Sequence, residues 1–150
     1  MVKKSVWIQQ EICGVKLYVY RSNVQNATAI YFLDGDQFKE PFYHWIIKHQ
    51  PSLNFVLINA DNRTDDYTPW PLQASETMPM DFGGKAEEQL SFITTHVIPF
   101  CESEYGFASS AEKRVMGGYS LGGLFSLYAA VNTDFFGTVL SCSSSLWYPG

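Results

Sequence analysis

Cysteine is scarce. Cys13, Cys101 and Cys142 are odd in number and scattered, which excludes a disulfide framework and fits reduced thiols, each read as buried or inert. Positive charge is limited too: 10 Lys and Arg against 15 Asp and Glu leave a net charge of -5. That balance excludes a general nucleic-acid binder, because phosphate binding needs concentrated cations. No apolar run approaches the ~20 residues that span a bilayer. After Lys3 and Lys4 the chain reads Val6-Trp7-Ile8-Gln9-Gln10-Glu11, too polar for the apolar region of a signal peptide. These absences point to a cytoplasmic protein with neither nucleic-acid nor membrane partners. Internal repeats, low-complexity stretches and linkers are also missing, so residues 1–150 read as one domain that buries roughly 70% of the surface its unfolded chain exposes.

What the sequence does have is bulk: 46% hydrophobic and 16% aromatic residues, enough for a packed core or an aromatic-lined pocket. Val6 to Gln10 and Val15 to Tyr20 alternate around Cys13-Gly14 and read as a hairpin of edge strands. Ala29 to Leu33 and Phe55 to Asn59 are short, nearly continuous apolar runs, the pattern of parallel strands covered on both faces. Phe38 to Gln50 is the expected crossover helix, with Pro41 in its first turn. Asp61 to Gly84 is polar, proline-bearing and aromatic, and reads as a long ordered loop near a site. Lys85 to Tyr105 has a helical pattern bent by Pro99; Arg114 to Gly118 reads as a buried strand, Leu121 to Val131 as a helix and Thr138 to Cys142 as a further strand. Strands alternating with helices imply a mainly parallel sheet, with ligands at the strands' carboxyl ends.

At one such end stands Gly118-Tyr119-Ser120-Leu121-Gly122-Gly123, between an apolar strand and a helix. A serine in a tight strand-to-helix turn is the arrangement of a nucleophile elbow. Glycines two positions either side of Ser120 remove side chains that would collide where strand and helix approach, and Ser120 is expected to hold a strained backbone. The helix start aims backbone N–H groups, that of Leu121 among them, toward an oxyanion. Ser126 is read as a helix-surface serine, Ser141 as a strand residue, and Ser143 to Ser145 as loop serines.

The chain resembles the esterase family of α/β-hydrolases that includes enterochelin and ferric-siderophore esterases, S-formylglutathione hydrolase and the mycolyltransferases. The resemblance rests on Tyr31-Phe32-Leu33-Asp34-Gly35-Asp36, Arg63-Thr64-Asp65-Asp66-Tyr67-Thr68-Pro69, Phe82-Gly83-Gly84-Lys85-Ala86-Glu87-Glu88, Val97-Ile98-Pro99-Phe100, the elbow, and Ser143-Ser144-Ser145-Leu146-Trp147. It implies a three-layer α/β-hydrolase fold with a mostly parallel central sheet, here stopping after the strand that follows the nucleophile helix. It also implies a serine hydrolase acting on a small-molecule ester through an acyl-enzyme, with Ser120 as nucleophile. Leu121 and Asp36 would supply backbone oxyanion donors, Asp36 because the family's loop after the Leu-Asp-Gly strand supplies the second N–H. Arg63, Tyr67 and Trp147 match positions around the acyl pocket, where an arginine could pair with an anionic or catecholate group; an Arg–Asp contact that holds the loop, and a core tryptophan, are the alternatives. No cofactor and no metal is implied.

The fold orders its triad as serine, acid, histidine. After Ser120 the sequence contains one acidic residue, Asp134, read as a loop or cap residue, and no histidine. His44, His49 and His96 precede the elbow, in the wrong order, and their spacing is not that of a metal site. The expected consequence is weak or absent esterase activity in this chain and an open sheet edge. That edge suits self-association or a complementing C-terminal fragment. Two other readings remain: a noncatalytic binding or assembly protein derived from the fold, and thioesterase or acyltransferase chemistry at the same elbow.

Overall fold

The computed structural model describes residues 6–150; Met1 to Ser5, the first part of the stretch read as unlike a signal peptide, lie outside them. The chain opens with β1 (Ile8–Ile12) and β2 (Val15–Tyr20), an antiparallel pair closed by Cys13 and Gly14 at φ 50° and 82°. Two successive left-handed residues suit the twist of a two-residue hairpin turn. β3 (Ala29–Leu33), helix α1 (Gly35–His49) and β4 (Asn54–Ile58) follow, then α2 (Arg63–Asp66) and a small ribbon of β5 (Pro71–Leu72) and β6 (Phe82–Gly83). α3 (Ala86–Phe92) and α4 (Ile98–Tyr105) are joined by a π-helical turn, Ile93–Val97, and β7 (Arg114–Tyr119), α5 (Leu121–Asn132) and β8 (Thr138–Cys142) complete the chain.

The main sheet runs β1-β2-β4-β3-β7-β8. β4, β3, β7 and β8 are mutually parallel, while β2 joins β4 antiparallel. Of the hairpin expected at the edge, only β1 is an edge strand; β2 is interior because its second side pairs with β4. The crossover from β3 through α1 moves one way along the sheet and that from β7 through α5 the other. Right-handed connections therefore place the two helices on opposite faces. On the α5 face, Leu17, Val19, Tyr31, Leu33, Val56, Ile58 and Met116 are fully buried against residues of α3, α4 and α5. On the α1 face, Phe32 packs edge-on against Phe38 and Phe42 at 5.2 and 5.1 Å between ring centroids, pairs worth about 0.5–1.5 kcal/mol each beyond their buried area.

Two helices depart from expectation. α1 starts at Gly35 rather than Phe38, because Asp34 turns the chain directly off β3 in a left-handed conformation, φ 58°, and its carbonyl accepts the N–H groups of Gln37 and Phe38. Pro41 consequently lies in the helix interior instead of the first turn, with its ring exposed. In the segment around Pro99, the interruption takes the form of the π-helical turn immediately before α4, where a wider turn accommodates a residue that lacks an N–H and crowds the preceding carbonyls. Arg114 anchors the start of β7: its Nε donates to Glu102 Oε1 at 2.7 Å, its Nη2 to Ser109 O at 2.8 Å, and its guanidinium lies 4.2 Å from the Phe135 ring centre.

The two faces are not equally covered. Among the described residues α1 is the one helix over its side of the sheet, and beside it a groove of about 480 Å³ is lined by Phe32, Phe38, Phe42, Trp45, Tyr119 and Leu140, among others. β8 borders this groove and, among the described residues, has no neighbour beyond it in the sheet order. No helix among the described residues is long and apolar enough to cross a membrane.

Candidate active site

β3 and β7 are adjacent parallel strands, so the helices that follow them begin side by side at one end of the sheet. A Cβ placed on Gly122 in the first turn of α5 would stand 3.7 Å from Asp34 Oδ2, at the start of α1. Two helix starts, each carrying N–H groups with no intrahelical acceptor, thus converge on one small region.

Ser120 occupies the corner between β7 and α5 with φ 59° and ψ -117°, a conformation that a residue with a Cβ rarely holds and that costs on the order of 1–3 kcal/mol. The surroundings impose it. The Ser120 N–H donates to Cys142 O at 3.0 Å, and its carbonyl accepts from Leu124 N and Ser145 N, both at 3.1 Å. The glycines divide the steric burden unevenly. A Cβ on Gly118 would meet the backbone of Gly122 at 2.4 Å, whereas one on Gly122 would find only ordinary contacts at 3.5 Å and beyond; the other tight position is Gly123, 3.0 Å from Cys142 O.

Ser120 is half-buried, and its Oγ lies 3.1 Å from Ser145 Oγ. Among the described residues no histidine is hydrogen-bonded to it. His44 and His49 are exposed on α1, and exposed His96 pairs through Nδ1 with Thr95 Oγ1 at 2.8 Å. Asp134 is an exposed residue after α5. Neither do the described His, Cys, Asp and Glu side chains gather in groups of three that could hold a metal ion.

The Esterase family model, described as "Putative esterase", matches residues 9–149. The chain belongs to this family. It is 39% identical over 99 residues to the uncharacterized protein YbbA of Bacillus subtilis, covering 65% of this chain and 40% of that protein. It is 29% identical over 125 residues to the iron(III) enterobactin esterase of Escherichia coli, covering 78% of this chain and 28% of that one. The chain therefore spans well under half the length of these relatives. Among solved structures, the BES protein of Bacillus cereus superimposes with a TM-score of 0.77 at 21% identity, over 99% of this chain and 64% of that one. An IroE-like serine hydrolase of Shewanella oneidensis gives 0.76 at 20% identity, over 95% and 52%. These likenesses establish the α/β-hydrolase fold.

The remaining residues singled out in the sequence have distinct surroundings. Leu121 is the first residue of α5, so its N–H lies at the helix start beside Ser120. Asp36, second in α1, donates its N–H to Asn59 Oδ1 at 2.7 Å, while Asn59 is oriented by its own Nδ2 bond to Lys16 O at 3.1 Å. The Asp36 carboxylate accepts the Tyr18 hydroxyl and faces Lys16 Nζ at 3.6 Å. The Tyr18 hydrogen bond, then Lys16, hold this carboxyl below its ordinary range against the opposing effect of burial.

Arg63 grips Asp34 through two parallel bonds, Nε to Oδ1 and Nη2 to Oδ2, both 3.1 Å. Tyr67 is fully buried against Phe125, and its hydroxyl accepts the Asp34 N–H at 3.3 Å; burial and the neighbouring Asp34 charge push the phenol well above its ordinary pKa. Both residues thus hold the turn that starts α1, the loop-holding alternative for Arg63. Trp147 is 58% exposed and touches Phe82 edge-on, ring centres 6.1 Å apart, so it is no core tryptophan. Tyr148 rather than Trp147 is the buried anchor there, its hydroxyl donating to Trp70 O at 2.6 Å.

Two serines differ from the reading of their positions. Ser126, expected on the helix surface, is fully buried and donates to Gly122 O at 2.9 Å, because the close approach of β7 and β8 to α5 leaves that face no solvent. Ser145, expected as a loop serine, is 2% exposed and contacts Ser120; nothing in a run of three serines marks which one faces Ser120. Of the cysteines, Cys101 is buried, its thiol pushed up to about 12 by desolvation, whereas Cys13 and Cys142 are exposed.

A cleft of about 550 Å³ is lined by Arg21 to Asn26, Asn54 and Tyr105 to Phe107. It lies at the amino ends of the parallel strands, away from the elbow.

Proposed function

We propose that this protein is a serine esterase in which Ser120 attacks an ester carbonyl. The observation that carries this reading is the strained backbone of Ser120 at the junction of β7 and α5, φ 59° and ψ -117°, since strain of this kind persists where the surroundings over-determine it and a side chain must be presented. The Oγ forms a bond to the acyl carbon as its proton passes to a general base; the alkoxide leaves with that proton, and water then hydrolyses the acyl-enzyme. The Leu121 N–H, at a helix start, is the first oxyanion donor, and the Asp36 N–H is the second once Asn59 Oδ1 yields it; each such donor is worth ~10²–10³ in turnover. A histidine is the base this chemistry calls for; none follows Ser120 in the sequence, and those before it are exposed and engaged elsewhere. Without it most of a ~10⁶-fold contribution is lost, so turnover by this chain alone is weak. A small-molecule ester is the substrate, in keeping with the enterobactin esterase among its relatives; Trp147, exposed on the loop after β8, walls its pocket, while Arg63 and Tyr67 serve it by holding Asp34. The protein acts in the cytoplasm as one domain and needs no metal or organic cofactor.

The test is turnover of p-nitrophenyl esters alongside fluorophosphonate labelling. Ser120→Ala is expected to abolish both, and labelling unchanged in that variant contradicts the proposal. A second reading, assembly, is favoured by the apolar groove beside α1 and the adjoining β8 edge. Parallel sheets are normally covered on both faces, and the longer relatives have further chain to do so; a complementing C-terminal segment is the occupant that fits. Size-exclusion chromatography with light scattering separates the readings, a clean monomer with esterase turnover leaving assembly nothing to explain.

A further inference from the structure

We propose that Ser145 is a positioning residue for the nucleophile, its buried hydroxyl fixing the rotamer of the Ser120 hydroxyl and remaining bonded to Ser120 Oγ during attack. This deepens the esterase reading and rests on it.

A serine hydroxyl at an open corner has three staggered positions, and only one can face both a base and an incoming carbonyl. The backbone strain at Ser120 fixes where Cβ points but leaves χ1 free. Ser145 supplies the missing constraint. Its Oγ lies 3.1 Å from Ser120 Oγ, and the residue is 2% exposed, so water is kept from the Ser145 side of the contact. The loop that carries it is tied to the elbow: Ser145 N donates to Ser120 O at 3.1 Å, and Tyr148 N donates to Ser145 O at 3.1 Å. Tyr148 is in turn anchored through its hydroxyl on Trp70 O. Ser145 therefore reports the position of the β8 loop directly to the nucleophile.

A hydroxyl both donates and accepts, and that versatility matters here. When the Ser120 proton is directed toward a base, Ser145 can donate its own proton to Ser120 Oγ and stabilise the negative charge that develops on that oxygen. Ser145 has no basic nitrogen and takes no proton in this scheme. It orients the attacking group, and the base is still required.

Valine and threonine have nearly the same shape and differ at this position by the hydroxyl. The rate of fluorophosphonate labelling of Ser120 is expected to fall about tenfold in Ser145→Val, the size of one lost hydrogen bond to a reacting group, and to stay within about threefold in Ser145→Thr. The Ser145→Val melt should lie below that of Ser145→Thr by no more than the loss of one buried hydrogen bond, since any packing strain is common to both. Labelling that slows equally in both variants, or in neither, overturns the proposal. A double-mutant cycle on Tm with Ser120→Ala and Ser145→Ala reads the contact without any chemistry: coupled shifts support it, and additive shifts contradict it. A parent chain that takes no label defeats the nucleophile reading and this inference with it, whereas a labelled parent indifferent to Ser145→Val defeats this inference alone.

Discussion

Ser120 illustrates how a single residue can work against local preference and be held there by its neighbours. Its left-handed φ of 59° is one that glycine adopts without penalty. Ser120→Gly and Ser120→Ala both remove the hydroxyl, so their difference isolates the backbone strain. The glycine variant is expected to be about 1 kcal/mol more stable than the alanine variant, as read from urea denaturation midpoints; equal stabilities would mean that the corner is relaxed. This strain is legible in the sequence, because a serine framed by Gly118 and Gly122 before a helix has few other uses. The hydroxyl's partner is not legible. Ser143, Ser144 and Ser145 are chemically identical, and only the turn closed by Tyr148 N on Ser145 O selects the one that faces Ser120. Arg63 is a similar case: its residue type suits an anionic ligand as well as it suits Asp34, and only the folded chain brings the two carboxylate oxygens within 3.1 Å.

At the scale of elements, the elbow depends on how near β7 comes to the first turn of α5. Gly118 sets that distance, since a Cβ there would meet the Gly122 carbonyl carbon and oxygen at 2.4 Å, and backbone cannot swing aside as a long side chain can. Gly118→Ala is therefore expected to destabilise the protein by about 3 kcal/mol or more, measured by urea denaturation. Gly122→Ala, whose Cβ has ordinary contacts, should cost less, and the reverse order would contradict this geometry. The parallel strands and α5 were readable from short apolar runs and turn residues. The start of α1 was not, because it depends on Asp34 adopting a left-handed turn off β3, and periodicity carries no signal for one residue's φ. The interior place of β2 was hidden for a related reason, as strand order is set by pairing partners distant in the chain.

For the whole molecule, the sheet sorts its two faces by connection direction, and this places the site. Both helix starts that could cradle an oxyanion lie at the carboxyl ends of neighbouring parallel strands, where ligands bind in this class of fold. The same topology leaves α1, among the described residues, as the one helix on its face, beside an apolar groove of about 480 Å³. The absence of a histidine after Ser120 was plain in the sequence, and the folded chain supplies none in its place: the hydroxyl's side-chain partner is Ser145. The proposed nucleophile Ser120, the Leu121 N–H at the start of α5 and the loop that carries Ser145 thus come together within this chain. The most direct measurement is fragment-ion mapping of the adduct formed when the protein is treated with a fluorophosphonate. A single modification at Ser120, absent from Ser120→Ala, is the expected result; an adduct on another serine, or undiminished labelling of that variant, would contradict the assignment of Ser120 as nucleophile.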